Sequence, residues 1–167
     1  NSSGSYVPHR VSYNGTAGWT ADSDVTTKTD PRVSDTDGDG LNDGDEDIDA
    51  DGSRDPVETD PTDSDTGDDG LSAGGEDMDG DGVVDMIETD PLDPDTDADS
   101  LNDGLELGRT TGYSQGTTSF FSISYHGTNA SWVEDSDASS VSDPKEPDTD
   151  NDGINDGADS NPVNPDI

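Results

Sequence analysis

D-T-D-G-D-G-L-N-D-G-D-E, residues 35–46, places oxygen-bearing side chains at positions 1, 3, 5, 9 and 12 of a twelve-residue stretch: Asp35, Asp37, Asp39, Asp43 and Glu46. Gly40 stands at position 6 and Leu41 at position 7. This is the spacing that a calcium ion requires. Alternating carboxylates reach toward one point, a glycine permits the sharp turn, the position-7 carbonyl adds a backbone oxygen, and a carboxylate at position 12 closes the shell.

The stretch recurs in register. Loop two, residues 47–58, offers Asp47, Asp49, Asp51, Asp55 and Glu58, with the Ser53 carbonyl at position 7. Loop three, residues 65–76, keeps Asp65, Asp69, Leu71 and Glu76, but Gly67 and Ala73 replace the carboxylates at positions 3 and 9. Loop four, residues 77–88, has Asp77, Asp79, Asp81, Val83, Asp85 and Glu88. Loop five, residues 95–106, has Asp95, Asp97, Asp99, Leu101, Asp103 and Glu106, with Ser100 where the turn glycine belongs. Loop six, residues 148–159, has Asp148, Asp150, Asp152, Ile154, Asp156 and a shorter closing Asp159. Loops one, two and four fit the full pattern. Loop three is the degraded copy, expected to bind weakly or to borrow a ligand from a neighbour. The chain is thus expected to hold about five or six calcium ions.

Two loops and a six-residue spacer make a unit of 30 residues. The spacers are T-D-P-T-D-S, residues 59–64, and T-D-P-L-D-P, residues 89–94. Asp30-Pro31, Asp60-Pro61, Asp90-Pro91 and Asp143-Pro144 stand at one fixed distance before loops one, three, five and six. Proline fixes φ there and gives each unit a rigid corner.

Composition narrows the function classes. The 167 residues carry 43 Asp and Glu against 6 Lys and Arg, a formal net charge of -37, and only 23% hydrophobic residues. Content alone describes a disordered polyanion that cannot bury enough apolar surface to offset chain entropy. Periodic placement of the acids argues otherwise, because a solvating tail needs only content. Calcium binding would then be the folding event itself. Nucleic acid and anionic membrane surfaces would repel such a chain. No apolar run approaches the ~20 residues of a membrane span, and cysteine is absent. Arrays of weak-to-moderate calcium loops suit the millimolar calcium outside the cell, so a secreted or cell-surface location is expected.

Residues 1–21 and 107–133 contain no Asp or Glu and hold all eight aromatic residues. Their β-branched and aromatic content, broken by Gly and Asn, reads as strands and turns. V-S-Y-N-G-T-A-G-W, residues 11–19, matches I-S-Y-H-G-T-N-A-S-W, residues 123–132, and the Asp-Pro pairs and loops that follow keep an offset of 113 residues. That pattern suggests a piece of a longer tandem array, or a protomer whose ends overlap its neighbours. Asn1, Asn14 and Asn129 head N-x-S/T sequons and are candidate glycan acceptors. His9 and His126 are isolated, and no nucleophile motif or dry pocket for acid–base work is apparent.

Loops abut with no room for flanking helices, since Glu46 is followed at once by Asp47. This arrangement resembles the thrombospondin type 3 repeat, D-x-D-x-D-G-x-x-D-x-x-D, in a cysteine-free form like that of bacterial surface proteins. The end of the chain, D-T-D-N-D-G-I-N-D-G-A-D-S-N-P-V-N-P-D, is especially similar. The resemblance implies a chain wrapped around rows of calcium ions. The expected fold is a mostly irregular, calcium-stabilised repeat rod with small all-β aromatic segments and little or no helix. The expected segments are 1–29, 30–106, 107–142 and 143–167. Leu41 and its position-7 equivalents, with Ile48, Val57, Met78 and Ile87, are expected to supply thin apolar contacts between loops.

The function these features point to is an extracellular structural protein, not an enzyme: a calcium-stiffened rod or spacer, assembling with copies of itself through the aromatic segments as a fibre or adhesin subunit. The alternatives are a passive calcium-binding linker of a larger secreted enzyme or adhesin, and a calcium buffer or sensor. Acid is expected to act like a chelator as pH falls through about 4.

Overall fold

The computed structural model describes residues 28–136, 139 and 141–164. Each twelve-residue loop is built by its own carboxylates. The first aspartate accepts backbone N–H groups from across the turn: Asp35 from Gly38 and Gly40, Asp95 from Asp99 and Ser100, Asp148 from Asp152 and Gly153. The fifth-position aspartate accepts the N–H two residues on, as Asp39 does from Leu41 at 2.7 Å and Asp152 from Ile154 at 3.0 Å. All six loops repeat this pair of bonds. Such side-chain-to-backbone bonds compete with helix and sheet and leave an irregular chain.

The turn also needs left-handed backbone at two places. Position 6 has φ from 73° at Gly82 to 111° at Gly40, and Ser100 adopts 84° there. Position 4 is left-handed too, at Gly38, Ala50, Asp68, Gly80, Ala98 and Asn151.

Regular structure is sparse among the described residues. α1 (Ala73–Glu76) and α2 (Asp103–Glu106) are single turns, and a 3-10 turn covers Asp156–Ala158. Each spans positions 9 to 12 or 11 of its loop and swings the closing carboxylate inward. Loop one makes the same bond without a full turn, Glu46 N–H to Asn42 carbonyl at 3.2 Å. β1 (Gly116–Thr117) pairs antiparallel with β2 (Ser124–Tyr125), Gly116 opposite Tyr125. The expectation of irregular chain with little helix holds.

Loops one, three, five and six stack on one another through the glycine at position 10. A Cβ on Gly74 would lie 2.8 Å from Leu41 N and 2.9 Å from Asp39 O; one on Gly157 would lie 2.8 Å from Asp99 O. Gly104 sits closer still against Asp69 O. Only a residue without a side chain allows backbone to meet backbone this way. Gly157 N–H donates to Asp99 Oδ2 at 2.6 Å, so loop six continues the stack after the long excursion of residues 107–141.

The spacers lock each stacked loop to its corner. Asp30, Asp60, Asp90 and Asp143 each close a turn onto the residue three ahead, and each donates its N–H to the threonine six ahead. Loops two and four flank the stack. Position 10 is Pro56 or Met86 there, and their surfaces are open: Val57 is 70% exposed, Ile87 76% and Met86 93%.

Among the described residues the buried apolar side chains are Leu41, Leu71 and Ala73. Val57, Met78 and Ile87 are each more than half exposed, which corrects the expected role of those three, whereas Ile48, 50% exposed, lies against Gly82 of loop four as expected. Ile48 and Val57 line a groove with Val83 and Val84, but packing within the stack is carried by glycine and backbone.

The second aromatic segment lies along the stack. Thr62 carbonyl accepts the His126 N–H at 2.7 Å in a parallel bridge of Asp63 with His126. The Thr128 hydroxyl donates to Asp65, and the Asn129 N–H donates to Asp68 at 2.7 Å. The Trp132 ring covers Gly70, and Arg32 lies over Phe120 and Phe121 at 5.3 and 5.7 Å. The first aromatic segment, with Asn1, Asn14 and His9, falls outside the described residues, whereas Asn129 is exposed.

Candidate metal centres

The loops gather the carboxylates that the spacing singled out. Asp35, Asp37 and Asp39 each offer an oxygen within 4.8 Å of the others, as do Asp95, Asp97 and Asp99, Asp77, Asp79 and Asp81, and Asp47, Asp49 and Glu58. Two oxygens on opposite sides of a calcium ion, each about 2.4 Å away, are about that far apart. These clusters can hold metal ions.

Several oxygens in the stacked loops are buried with no hydrogen-bond donor: Asp37 Oδ2, Asp39 Oδ2 and both Glu46 oxygens in loop one, Asp97 Oδ2 and Glu106 Oε2 in loop five, Asp150 Oδ2 and Asp159 Oδ2 in loop six. Orphaned buried acceptors are costly, and a cation is the partner that would satisfy several at once. They fall at positions 3, 5 and 12, where calcium ligands belong.

The charges are held at an electrostatic cost. Burial, then Asp39 and Asp37, pushes the Glu46 carboxyl up to about 10. Burial, then Asp39, raises Asp37 to about 8, and burial raises Glu106 to about 8 against the Ser142 hydroxyl that stabilises its charge. Packed like charges in a low-dielectric site disfavour ionisation of one another. A divalent ion reverses the sign of that local field.

Loops two and four differ. Glu58 accepts the N–H of Asp55 at 2.8 Å, and Glu88 accepts those of Met78 and Asp85 at 2.9 and 3.0 Å. The Asp85 amide, with help from Met78, holds the Glu88 carboxyl below its usual range despite burial. Asp51 and Asp81 close their own turns, and Asp55 and Asp85 stay exposed at the rim.

Position 9 of the stacked loops has a second duty that the spacing did not reveal. Asp43 accepts the Thr36 N–H at 2.7 Å and hydroxyl at 2.9 Å; Asp103 takes the same pair from Thr96, and Asp156 from Thr149. This clasp joins position 2 to position 9. Its signal was present: threonine occupies position 2 in all four stacked loops, while loops two and four have Ile48 and Met78. Position-7 residues Leu41, Ser53, Leu71, Val83, Leu101 and Ile154 each donate their N–H to the position-5 aspartate of the same loop.

Loop three departs most from expectation. Its group is Asp69, Glu76 and Asp103, the last from loop five. Comparison with family models, curated proteins and solved structures gives no match for this chain. The functional reading therefore rests on these residues.

Proposed function

We propose that this chain is an extracellular calcium-binding structural protein, a spacer whose loops are fixed by calcium. The observation that carries the reading is the set of buried, donor-less oxygens at positions 3, 5 and 12 of the stacked loops. Calcium is favoured over magnesium because the ligands are many, all oxygen, and set on a flexible loop; magnesium demands a tighter octahedron and keeps its water. Neutralising these carboxylates turns a self-repelling chain into a stiff one. A graded sensor needs an apolar groove that opens, and the buried apolar set among the described residues is Leu41, Leu71 and Ala73. Millimolar calcium outside the cell would keep such loops filled.

Association between copies follows from the stacking contact. Gly74, Gly104 and Gly157 each sit on the preceding loop of the stack, whereas among the described residues no atom lies within 4 Å of where a Cβ on Gly44 would be. At the other end, Gly153 is equally open and Ile154 is exposed. A second copy placing its Gly44 on loop six repeats a contact already made three times, and such a head-to-tail contact propagates into a filament. The aromatic segments are the second surface for such pairing.

Circular dichroism and sedimentation in EGTA and then in calcium test both points. Calcium is expected to order the chain and raise its mass, while Gly44→Val orders equally and stays monomeric. A chain ordered alike in EGTA overturns the calcium reading. An ordered monomer, or a variant that associates like the parent, overturns the stacking of copies.

A further inference from the structure

We infer that loop three holds a divalent cation whose coordination shell is completed across the stack by Asp103 of loop five. Loop three lacks two of its own carboxylates, Gly67 and Ala73 standing in their places. It is nonetheless the most enclosed loop. Asp65 and Asp69 are 0% exposed and Glu76 2%. Asp69 Oδ2 and Glu76 Oε2 have no donor. An oxygen of Asp103, itself fully buried, lies within 4.8 Å of an oxygen from each of them. Three buried carboxylates converge where a loop with two gaps should be poorest in ligands.

The stacking contact explains the delivery. Gly104 rests against the Asp69 carbonyl, which brings its neighbour Asp103 beside loop three, with an oxygen within 4.8 Å of Asp69 and of Glu76. Thr96 grips both Asp103 oxygens, at 2.9 Å from its N–H and 2.6 Å from its hydroxyl, which fixes the carboxylate before any ion arrives. The Thr89 and Thr128 hydroxyls each hold one oxygen of Glu76 and of Asp65. A ligand pinned by outer hydrogen bonds binds its ion with less reorganisation. Loop one receives no such help from loop three, because the equivalent position there is Ala73. Filling of loop three therefore requires loop five to be folded and docked, and the two sites are coupled.

This inference rests on the calcium reading, and its test separates the two. Trp132, packed on Gly70, reports loop three by fluorescence when Trp19→Phe removes the other indole. Calcium is titrated into the full chain, and bound ions are counted by native mass spectrometry. Asp103→Asn keeps an isosteric partner for Thr96. It is expected to lose one ion and to move the Trp132 transition to at least about tenfold higher calcium. Asp43→Asn makes the same change to the equivalent clasp in loop one and is expected to leave the Trp132 transition in place. If the two variants behave alike, position 9 is only a clasp and the shared site is wrong. If the parent takes up no calcium, the wider reading falls with it. Anomalous scattering from parent crystals grown in calcium gives an answer independent of folding of the variants: a peak among Asp69, Glu76 and Asp103 is expected, and no peak there overturns the site.

Discussion

Loops two and three show how little a loop's own ligand count says about its surroundings. Loop two has every carboxylate of the pattern, yet Asp49, Asp51 and Asp55 face solvent and Glu58 turns to its own backbone. Loop three lacks two carboxylates, yet Asp65, Asp69, Leu71, Ala73 and Glu76 are all buried. The difference lies in position 10, glycine in loop three and Pro56 in loop two. Glycine lets a loop press its backbone onto the loop before it, and that contact buries the carboxylates of both. Enclosure then makes each uncompensated oxygen costly and a cation at that place more strongly favoured.

The contrast can be broken most severely at the stacking glycines. Gly74→Val puts carbon 2.8 Å from the backbone of Gly40 and Leu41, where nothing flexible can yield. A loss of about 3 kcal/mol or more is expected in calcium-saturated thermal unfolding. Met86→Val, at the same position of loop four, changes a side chain that is 93% exposed and should stay within about 0.5 kcal/mol. Equal losses at the two sites would mean that stacking does not distinguish the two kinds of loop.

Proton titration sharpens it next. In the folded chain without a cation, burial and then neighbouring carboxylates push Glu46 and Glu76 up to about 10 and 9. A carboxyl raised in the folded state favours folding when protonated. Its contribution is full below about 4.5 and is lost as pH rises through those raised values. Glu88, lowered by the Asp85 amide, has the opposite sign, with a contribution present above 4.5 and lost as pH falls below it. Amide exchange in chelator should therefore show the stacked loops gaining protection as pH drops from about 10 toward 5, and loop four losing it below 4.5. In calcium the same protons compete with the ion, so the stack should release calcium well above the pH of about 4 that free carboxylates imply. Both kinds of loop titrating together near 4 would remove the distinction.

The smallest effect is within loop five. Ser100 holds φ of 84° at the turn that glycine fills in the other loops. Ser100→Gly removes left-handed strain of about 1–2 kcal/mol and adds chain entropy worth somewhat less. A net gain of about 0.5–1 kcal/mol in unfolding free energy is expected. No gain would show that the Asp95 carboxylate, which accepts the Ser100 N–H at 2.9 Å, already holds the turn at no cost.

The loops were legible because a carboxylate's reach is local. Asp35 closes its turn on Gly38 and Gly40, and no distant residue is needed for that. Asp-Pro corners and the position-6 glycines were legible for the same reason. Two further signals were written in the chain and are readable only with the stack in view: threonine at position 2 and glycine at position 10, in loops one, three, five and six alone.

What the sequence determined by itself is thus the six loops, the places of their carboxylates and their corners, since each is set by bonds spanning at most a dozen residues. Tertiary structure decided which loops are enclosed, that loop six joins the stack across the aromatic excursion, and that Asp103 faces Asp69 and Glu76. Those depend on backbone meeting backbone over 30 residues or more. Spacing along a chain does not encode that approach until a glycine permits it.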